Sequence, residues 1–161
     1  MLPSAVHGLD QQVERAYRQF KARSTPLAQN TFLNSLKDQN LVLFFALLDK
    51  YISEMYSVIY TPTEGEAIEQ YSRLFRRPDG CFLDIEENGE REGIEKVLRE
   101  WGKAEDVDYI VITDAEEILG IGDQGVGGIG ISVAKLVLMT LCAGLWPNRT
   151  LPIVLDCGTD V

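Results

Sequence analysis

The chain has 161 residues, 45% of them hydrophobic, and 15 Lys and Arg against 25 Asp and Glu give it a net charge of −10. With a mean hydropathy of −0.05, that is the profile of one globular domain with an ordinary core. The acidic balance excludes nucleic acid or an anionic membrane surface as an electrostatic partner. The N-terminal MLPSAVHGLDQQ has neither the basic start nor the apolar centre of a secretory signal. The longest apolar stretch, Val137 to Trp146, falls well short of the roughly 20 residues of a membrane span. Cys81, Cys142 and Cys157 are odd in number, widely spaced and in or beside apolar runs, so they read as buried free thiols of a reducing compartment. With one histidine, His7, there is no material for a His-based zinc site or a Ser-His-Asp triad.

In chain order, Leu9, Val13, Tyr17 and Phe20 recur at helical spacing, and Ser24-Thr25-Pro26 breaks the pattern. A second helical segment runs from Phe32 through Leu36, Leu41 and Phe44 to Leu48. From Tyr56 onward, short apolar runs alternate with helical patterns, as in βαβ units. Ser57–Tyr60 reads as a strand, stopped by Thr61-Pro62. Thr63 with Glu66 forms a capping box opening a helix to about Phe75. After a turn at Arg76–Gly80 come a strand from Cys81 to Ile85 and a short helix from Ile94 to Trp101. Val107–Thr113 and Ile118–Ile121 read as strands. Ser132 caps a helix to about Cys142, stopped by Gly144 with Pro147 beyond, and Leu151–Leu155 is a last strand. The fold expected is α/β: a helical N-terminal arm, residues 1–52, then a mostly parallel sheet with flanking helices, residues 53–161.

Three features could carry chemistry. Gly120-Ile121-Gly122-Asp123-Gln124-Gly125 fits G-x-G-x-x-G, but the loop runs on through Gly130 and position 140 is not acidic, so the dinucleotide fingerprint is incomplete. It reads better as a loop that lets backbone approach a small ligand, or as a tight connection. Lys135 lies near the start of a helix that is apolar all round and hence expected to be buried. Desolvation and the positive end of the helix dipole both disfavour its ammonium form, which suits a general base. The same position equally suits a lysine whose stem packs and whose head reaches water. Tyr60, at the carboxyl end of its presumed strand, stands where open α/β sheets bind ligands; by itself it is as well read as a half-buried aromatic.

Together these segments resemble the malic enzymes. Tyr60-Thr61-Pro62-Thr63-Glu64-Gly65 and Phe75-Arg76-Arg77-Pro78 are similar to that family's Y-T-P-T-x-G and F-R-R-P. Thr113-Asp114 followed by Ile118-Leu119-Gly120-Ile121-Gly122-Asp123-Gln124-Gly125 resembles its T-D-x-x-x-I-L-G-L-G-D-x-G. Gly130-Ile131-Ser132-Val133-Ala134-Lys135-Leu136 resembles G-I-P-V-G-K-L, and Leu151-Pro152 through Asp160 resembles L-P-V-x-x-D-V-G-T-[ND]. Phe32 to Asn40 resembles Y-L-x-x-L-x-D-R-N. The resemblance runs the length of the chain and is strongest to fungal members.

It implies the amino-terminal, substrate-side domain of an enzyme that oxidatively decarboxylates malate to pyruvate with NAD or NADP and Mg²⁺ or Mn²⁺. By resemblance Tyr60 is the general acid that protonates the enol and Lys135 takes the substrate hydroxyl proton. Gly120, Gly122 and Asp123 then form part of the substrate loop. Glu117 stands where many members carry a carboxylate-gripping arginine, which the malolactic enzymes also lack, and Gln39 replaces the arginine of an activator site. The family's metal carboxylates and nucleotide-binding domain lie beyond Val161, so this chain alone is expected to bind neither coenzyme nor metal. It reads either as a piece of such an enzyme or as a stand-alone Tyr/Lys acid–base protein without redox cofactor, a non-catalytic scaffold being a third reading. A small carboxylic acid is the expected ligand. The chain is further expected to be homo-oligomeric and intracellular, in cytoplasm or mitochondria.

Overall fold

The computed structural model describes residues 7–74 and 76–158. Phe75, which closes the F-R-R-P helix in the sequence reading, and Thr159-Asp160 of the last motif lie outside them. The chain divides into two compact units, Met1–Glu64 and Gly65–Val161.

The first unit is helical: α1 (Leu9–Lys21), α2 (Pro26–Gln39) and α3 (Leu41–Ile59), with the boundary inside the short α4 (Thr63–Glu69). The Ser24-Thr25-Pro26 break holds, because Thr25 caps α2 by accepting the Ala28 N–H and Pro26 opens it. The second segment is in fact two helices, parted at Asn40, whose side chain caps α3 through the Leu43 N–H. α1 and α2 both pack on α3, which buries Phe44, Leu47, Leu48, Met55, Val58 and Ile59. That spacing corrects one expectation. Ser57–Tyr60 is the last turn of α3 and the cap after it, because Val58 and Ile59 continue the helical stripe of Leu47, Leu48 and Met55. An apolar run of three or four residues carries no period of its own, and packing decides it. The helical part therefore extends well past residue 52. Along its surface, Tyr17 and Tyr51 stack with ring centroids 3.8 Å apart, and their hydroxyls donate to Glu54 and Glu14 respectively. Lys21 and Lys50 pair with the same two carboxylates and hold both below the usual carboxylate range.

The second unit contains β1 (Cys81–Asp84), α5 (Ile85–Asn88), α6 (Arg91–Arg99), β2 (Tyr109–Thr113), α7 (Ile129–Ala143) and β3 (Thr150–Asp156). The strands form a parallel sheet in the order β1-β3-β2, with Cys81 opposite Ile153 and Tyr109 opposite Thr150. Leu151 and Ile153 join Cys81 and Leu83 on one face, covered by Ile94, Val97 and Leu98 of α6. Val154 joins Ala115 and Ile129 on the other, under α7. Pro152 sits in the central strand, a place proline normally avoids. Pairing with β1 begins only at Ile153, so at Pro152 the sheet is two strands wide. Register between β2 and β3 is fixed at its entry by Arg149, whose guanidinium donates twice to Asp108 at 2.7 Å, while the Asp108 N–H donates to the Arg149 carbonyl. This bidentate pairing holds the Asp108 carboxyl below its ordinary range.

Other expectations change here. Ile118–Ile121 is not a strand but a closed turn. α7 begins at Ile129, three residues before the expected cap, so Ser132 lies inside it, fully buried. α7 is not buried all round: Ile129, Ser132, Ala134 and Leu136 are buried, while Val137, Leu138, Met139 and Leu141 are half-buried. Gly125–Ala143 is, by length and composition, apolar enough to cross a membrane, contrary to the shorter stretch expected from sequence. One side of this helix packs on β2 and β3, as in the core helix of an α/β layer.

All three cysteines are free, but only Cys81 is buried, and Cys142 and Cys157 are exposed. Burial, aided by the Glu100 charge, pushes the Cys81 thiol up, which lowers its thiolate fraction at neutral pH and with it its reactivity. Titration with a thiol-specific chromogenic reagent at pH 8 is therefore expected to modify two thiols rapidly in the folded chain and the third only in denaturant. Rapid reaction of all three under native conditions would contradict this packing.

Candidate substrate-side site

Tyr60 ends α3. Its N–H donates to the Tyr56 carbonyl at 3.0 Å and its own carbonyl accepts the Glu64 N–H at 2.8 Å. Its backbone is extended, with φ −137° and ψ −157°, so the helix stops there and the chain turns through Thr61-Pro62, a cis peptide, into α4. The ring is half-buried and meets Tyr56 edge to face, 6.2 Å between centroids. Tyr60 is thus held at a helix end, not at a strand end as the sequence suggested.

The glycine-rich loop, with Lys135 and Glu117, belongs to the second unit. Leaving β2, Thr113 accepts the Ala115 N–H and Asp114 accepts the Glu116 N–H, two side-chain turns that bend the chain sharply. Ala115, at φ 59°, is the described non-glycine residue in the left-handed region, and it is 1% exposed. A strained backbone of this kind persists where packing over-determines it, often near functional sites. Glu117 is exposed. Ile118 and Gly122 then close on each other, the Ile118 N–H donating to the Gly122 carbonyl and the Gly122 N–H to the Ile118 carbonyl at 3.0 and 2.8 Å. Gly120 and Gly122, at φ 91° and 70°, make that turn possible. It thrusts Leu119 outward, 98% exposed. Asp123 accepts the Gly125 N–H, and Gln124 reaches back to Ile121 and Ala115.

The loop therefore spends its polar groups on itself. The strand–loop–helix of a dinucleotide fingerprint is not formed: β2 ends at Thr113, seven residues before Gly120, and a 3₁₀ turn over Gly125–Gly128 precedes α7. Among the described residues no group of three His, Cys, Asp or Glu side chains is gathered closely enough to hold a metal ion. Lys135 is the seventh residue of α7 and is exposed. The argument from a desolvated first turn therefore does not apply to it, because the helix starts earlier than its sequence cap signal and turns this position outward. Gly120 and Gly122 are exposed and Asp123 half-exposed, so Gly120, Gly122, Asp123, Glu117 and Lys135 are all reachable in their unit, while Tyr60 lies in the helical one.

Two pairs escaped the sequence reading. Asn30 and Glu64 are buried polar residues joined to one another; the signal was an asparagine standing three residues before Leu33 in the buried stripe of α2. Gly128 backs onto Ala115: a Cβ on Gly128 would collide with the Ala115 Cβ. That contact sets how closely α7 approaches the turn after β2.

The structure is thus a helical unit that carries Tyr60 and a second unit with a parallel three-stranded sheet, a self-closed glycine loop and the apolar α7. The family described as "Malic enzyme, N-terminal domain" matches residues 37–161, and the chain belongs to it. It is 54% identical over 160 residues to the mitochondrial NAD-dependent malic enzyme of Saccharomyces cerevisiae, covering 99% of this chain and 24% of that protein. It is 56% identical to the NAD-dependent malic enzyme of Schizosaccharomyces pombe and 44% to NAD-dependent malic enzyme 2 of Vibrio vulnificus, in each case over 28% of the relative. The chain thus spans about a quarter of the length of the curated relatives it matches.

The Ala115–Gly128 contact yields a stability prediction. Gly128→Ala should destabilise the chain by about 1–3 kcal/mol through overpacking, and adding Ala115→Gly should return a large part of that loss. Denaturant unfolding of the two single variants and the double variant measures the coupling. Strict additivity would mean that the two residues do not compete for the same space.

Proposed function

We propose that this chain supplies the substrate-side part of an NAD-dependent malic enzyme, the oxidative decarboxylation of malate to pyruvate. The observation that carries the reading is the chain-long similarity to enzymes of that name, with Tyr60 and Lys135 in the two motifs that hold the family's acid and base. In this reaction the Lys135 amine would take the proton from the C2 hydroxyl of malate, and NAD, held by the rest of the enzyme, would supply the two-electron oxidant that accepts the hydride from C2. Loss of the C4 carboxyl group as CO₂ leaves the enol of pyruvate, and the Tyr60 hydroxyl delivers a proton to its terminal carbon. Gly120, Gly122 and Asp123 form the loop against which the acid lies. Glu117 provides no cation for its carboxylates, so that grip falls to other residues. NAD, a metal ion and homo-oligomeric assembly belong to this proposal at the level of the whole enzyme, as does an intracellular site in cytoplasm or mitochondria. The residues described here carry no step that runs through the metal.

The test is a transplant: this chain replaces the corresponding 160 residues of the S. cerevisiae enzyme, and malate-dependent NADH formation is followed by absorbance. The chimaera is expected to turn over malate, and Tyr60→Phe and Lys135→Ala should each lower kcat by roughly 10² or more, the usual worth of acid–base help. Both variants should keep the circular dichroism of the unmutated chimaera. A chimaera that binds NAD yet oxidises no malate, or one indifferent to both substitutions, would refute the proposal.

A further inference from the structure

The stretch around Tyr60, from Val58 to Glu64, is tied to α2 by a buried amide. Asn30, in α2, is 1% exposed, and Glu64, the first residue past the Y-T-P-T turn, is 6% exposed. Asn30 Nδ2 donates to the Val58 carbonyl at 2.8 Å and to Glu64 Oε2 at 2.6 Å. Both hydrogens of one NH₂ group are thus used, one on each side of Tyr60. The Asn30 Oδ1 accepts from Asn34 Nδ2 at 3.1 Å, which fixes the amide's orientation from the same helix. Glu64 closes the circuit by donating its backbone N–H to the Tyr60 carbonyl. Residues two before and four after Tyr60 are therefore tied to one point in α2, and the tyrosine's own N–H and carbonyl are both bonded within the same loop.

Burial makes this bridge stringent. A carboxylate withdrawn from water is retained where hydrogen bonds to it repay its desolvation, and removing one member of such a network takes a hydrogen bond from its partner where water cannot readily replace it. An apolar pair would close the same space without that cost. The polar pair instead fixes an angle and a distance, because hydrogen bonds are directional where apolar contact is not. We infer that Asn30 and Glu64 are positioning residues for Tyr60, locking the helix end and the turn so that the Tyr60 ring is presented in one place. The inference rests on the general-acid reading of Tyr60 for its catalytic meaning, since a shift of about 1 Å in such a group is enough to cost roughly 10² in rate. The geometry that supports it is the tie of Val58 and Glu64, on either side of Tyr60, to one side chain of α2.

The experiment uses the full chain with ¹³C-labelled tyrosine rings and reads the ring cross-peaks by NMR, so it needs no turnover. In the unmutated chain Tyr56 and Tyr60 should show mutual contacts, and the Tyr17–Tyr51 stack on α1 and α3 serves as an internal control. Asn30→Ala and Glu64→Ala are expected to abolish the Tyr56–Tyr60 contact and move or broaden the Tyr60 signals, with Tyr17 and Tyr51 unchanged. Glu64→Gln keeps an oxygen able to accept from Asn30 and should restore the Tyr60 signals. The inference is overturned if both alanine variants leave Tyr60 as it was. It is equally overturned if the two tyrosine pairs are lost together and Glu64→Gln fails to restore either, which marks a bridge that holds only the fold. Because this readout is independent of malate chemistry, an inactive chimaera counts against the proposed function and leaves the positioning result to stand or fall by itself.

Discussion

The α/β unit depends on one strand arriving last. β3 is the final element of the described chain, yet it occupies the centre of the sheet, and β1 and β2 each hydrogen-bond to it and not to one another. The partner of Ile153 lies 72 positions earlier, at Cys81, and that of Thr150 lies 41 positions earlier, at Tyr109. Parallel pairing demands such crossovers, and the closure of loops that long is repaid only when the strand docks. β3 is built for both faces at once, Leu151 and Ile153 feeding the α6 side and Val154 the α7 side. The Arg149–Asp108 fork pins the register of β2 and β3 at the end where both strands begin.

The site elements inherit their positions from this arrangement. Because β2 is fixed against β3, the chain leaving Thr113 must bend at once, and it does so through a left-handed alanine and two side-chain turns. Because Val154 pairs with Ala115 and Ile129 in one cluster, that bend is welded to the start of α7. The close approach of Gly128 to Ala115 is the geometric consequence: a glycine is needed where helix and turn meet. The self-closed Ile118–Gly122 turn then projects between these two fixed points. In the helical unit the same logic applies with different means, since there a buried amide and not a strand defines where the tyrosine stands.

Much of this was legible in the residues. The runs read as strands at Cys81–Ile85, Val107–Thr113 and Leu151–Leu155 are strands, observed over Cys81–Asp84, Tyr109–Thr113 and Thr150–Asp156, and the Thr25-Pro26 break and the Gly144 stop are present. The motifs carried the family, as the match over residues 37–161 shows. The misreadings have a common cause. Ser57–Tyr60 and Ile118–Ile121 are four-residue runs too short to show a period, and their fate was decided by what lay beside them: the α3 stripe in one case, three closely spaced glycines in the other. Lys135 was open to two readings, and its exposure agrees with the one whose head reaches water, because composition reports how apolar a helix is and not which face the sheet covers. The Asn30–Glu64 bridge was invisible for a plainer reason, as it joins residues 34 apart that form no motif together.

The central position of β3 can be tested amide by amide. Hydrogen exchange followed by NMR, in the unmutated chain and in Val154→Ala, reports the opening of each strand separately. Deleting two buried methyl groups should cost about 2 kcal/mol, or roughly 30-fold in protection. The hydrogen-bonded amides of Cys81–Asp84 and Tyr109–Thr113 are predicted to lose that protection together and by the same factor, since neither strand has another partner among the described residues. If β1 kept its original protection while β2 alone was exposed, β3 would not be the element on which the sheet depends.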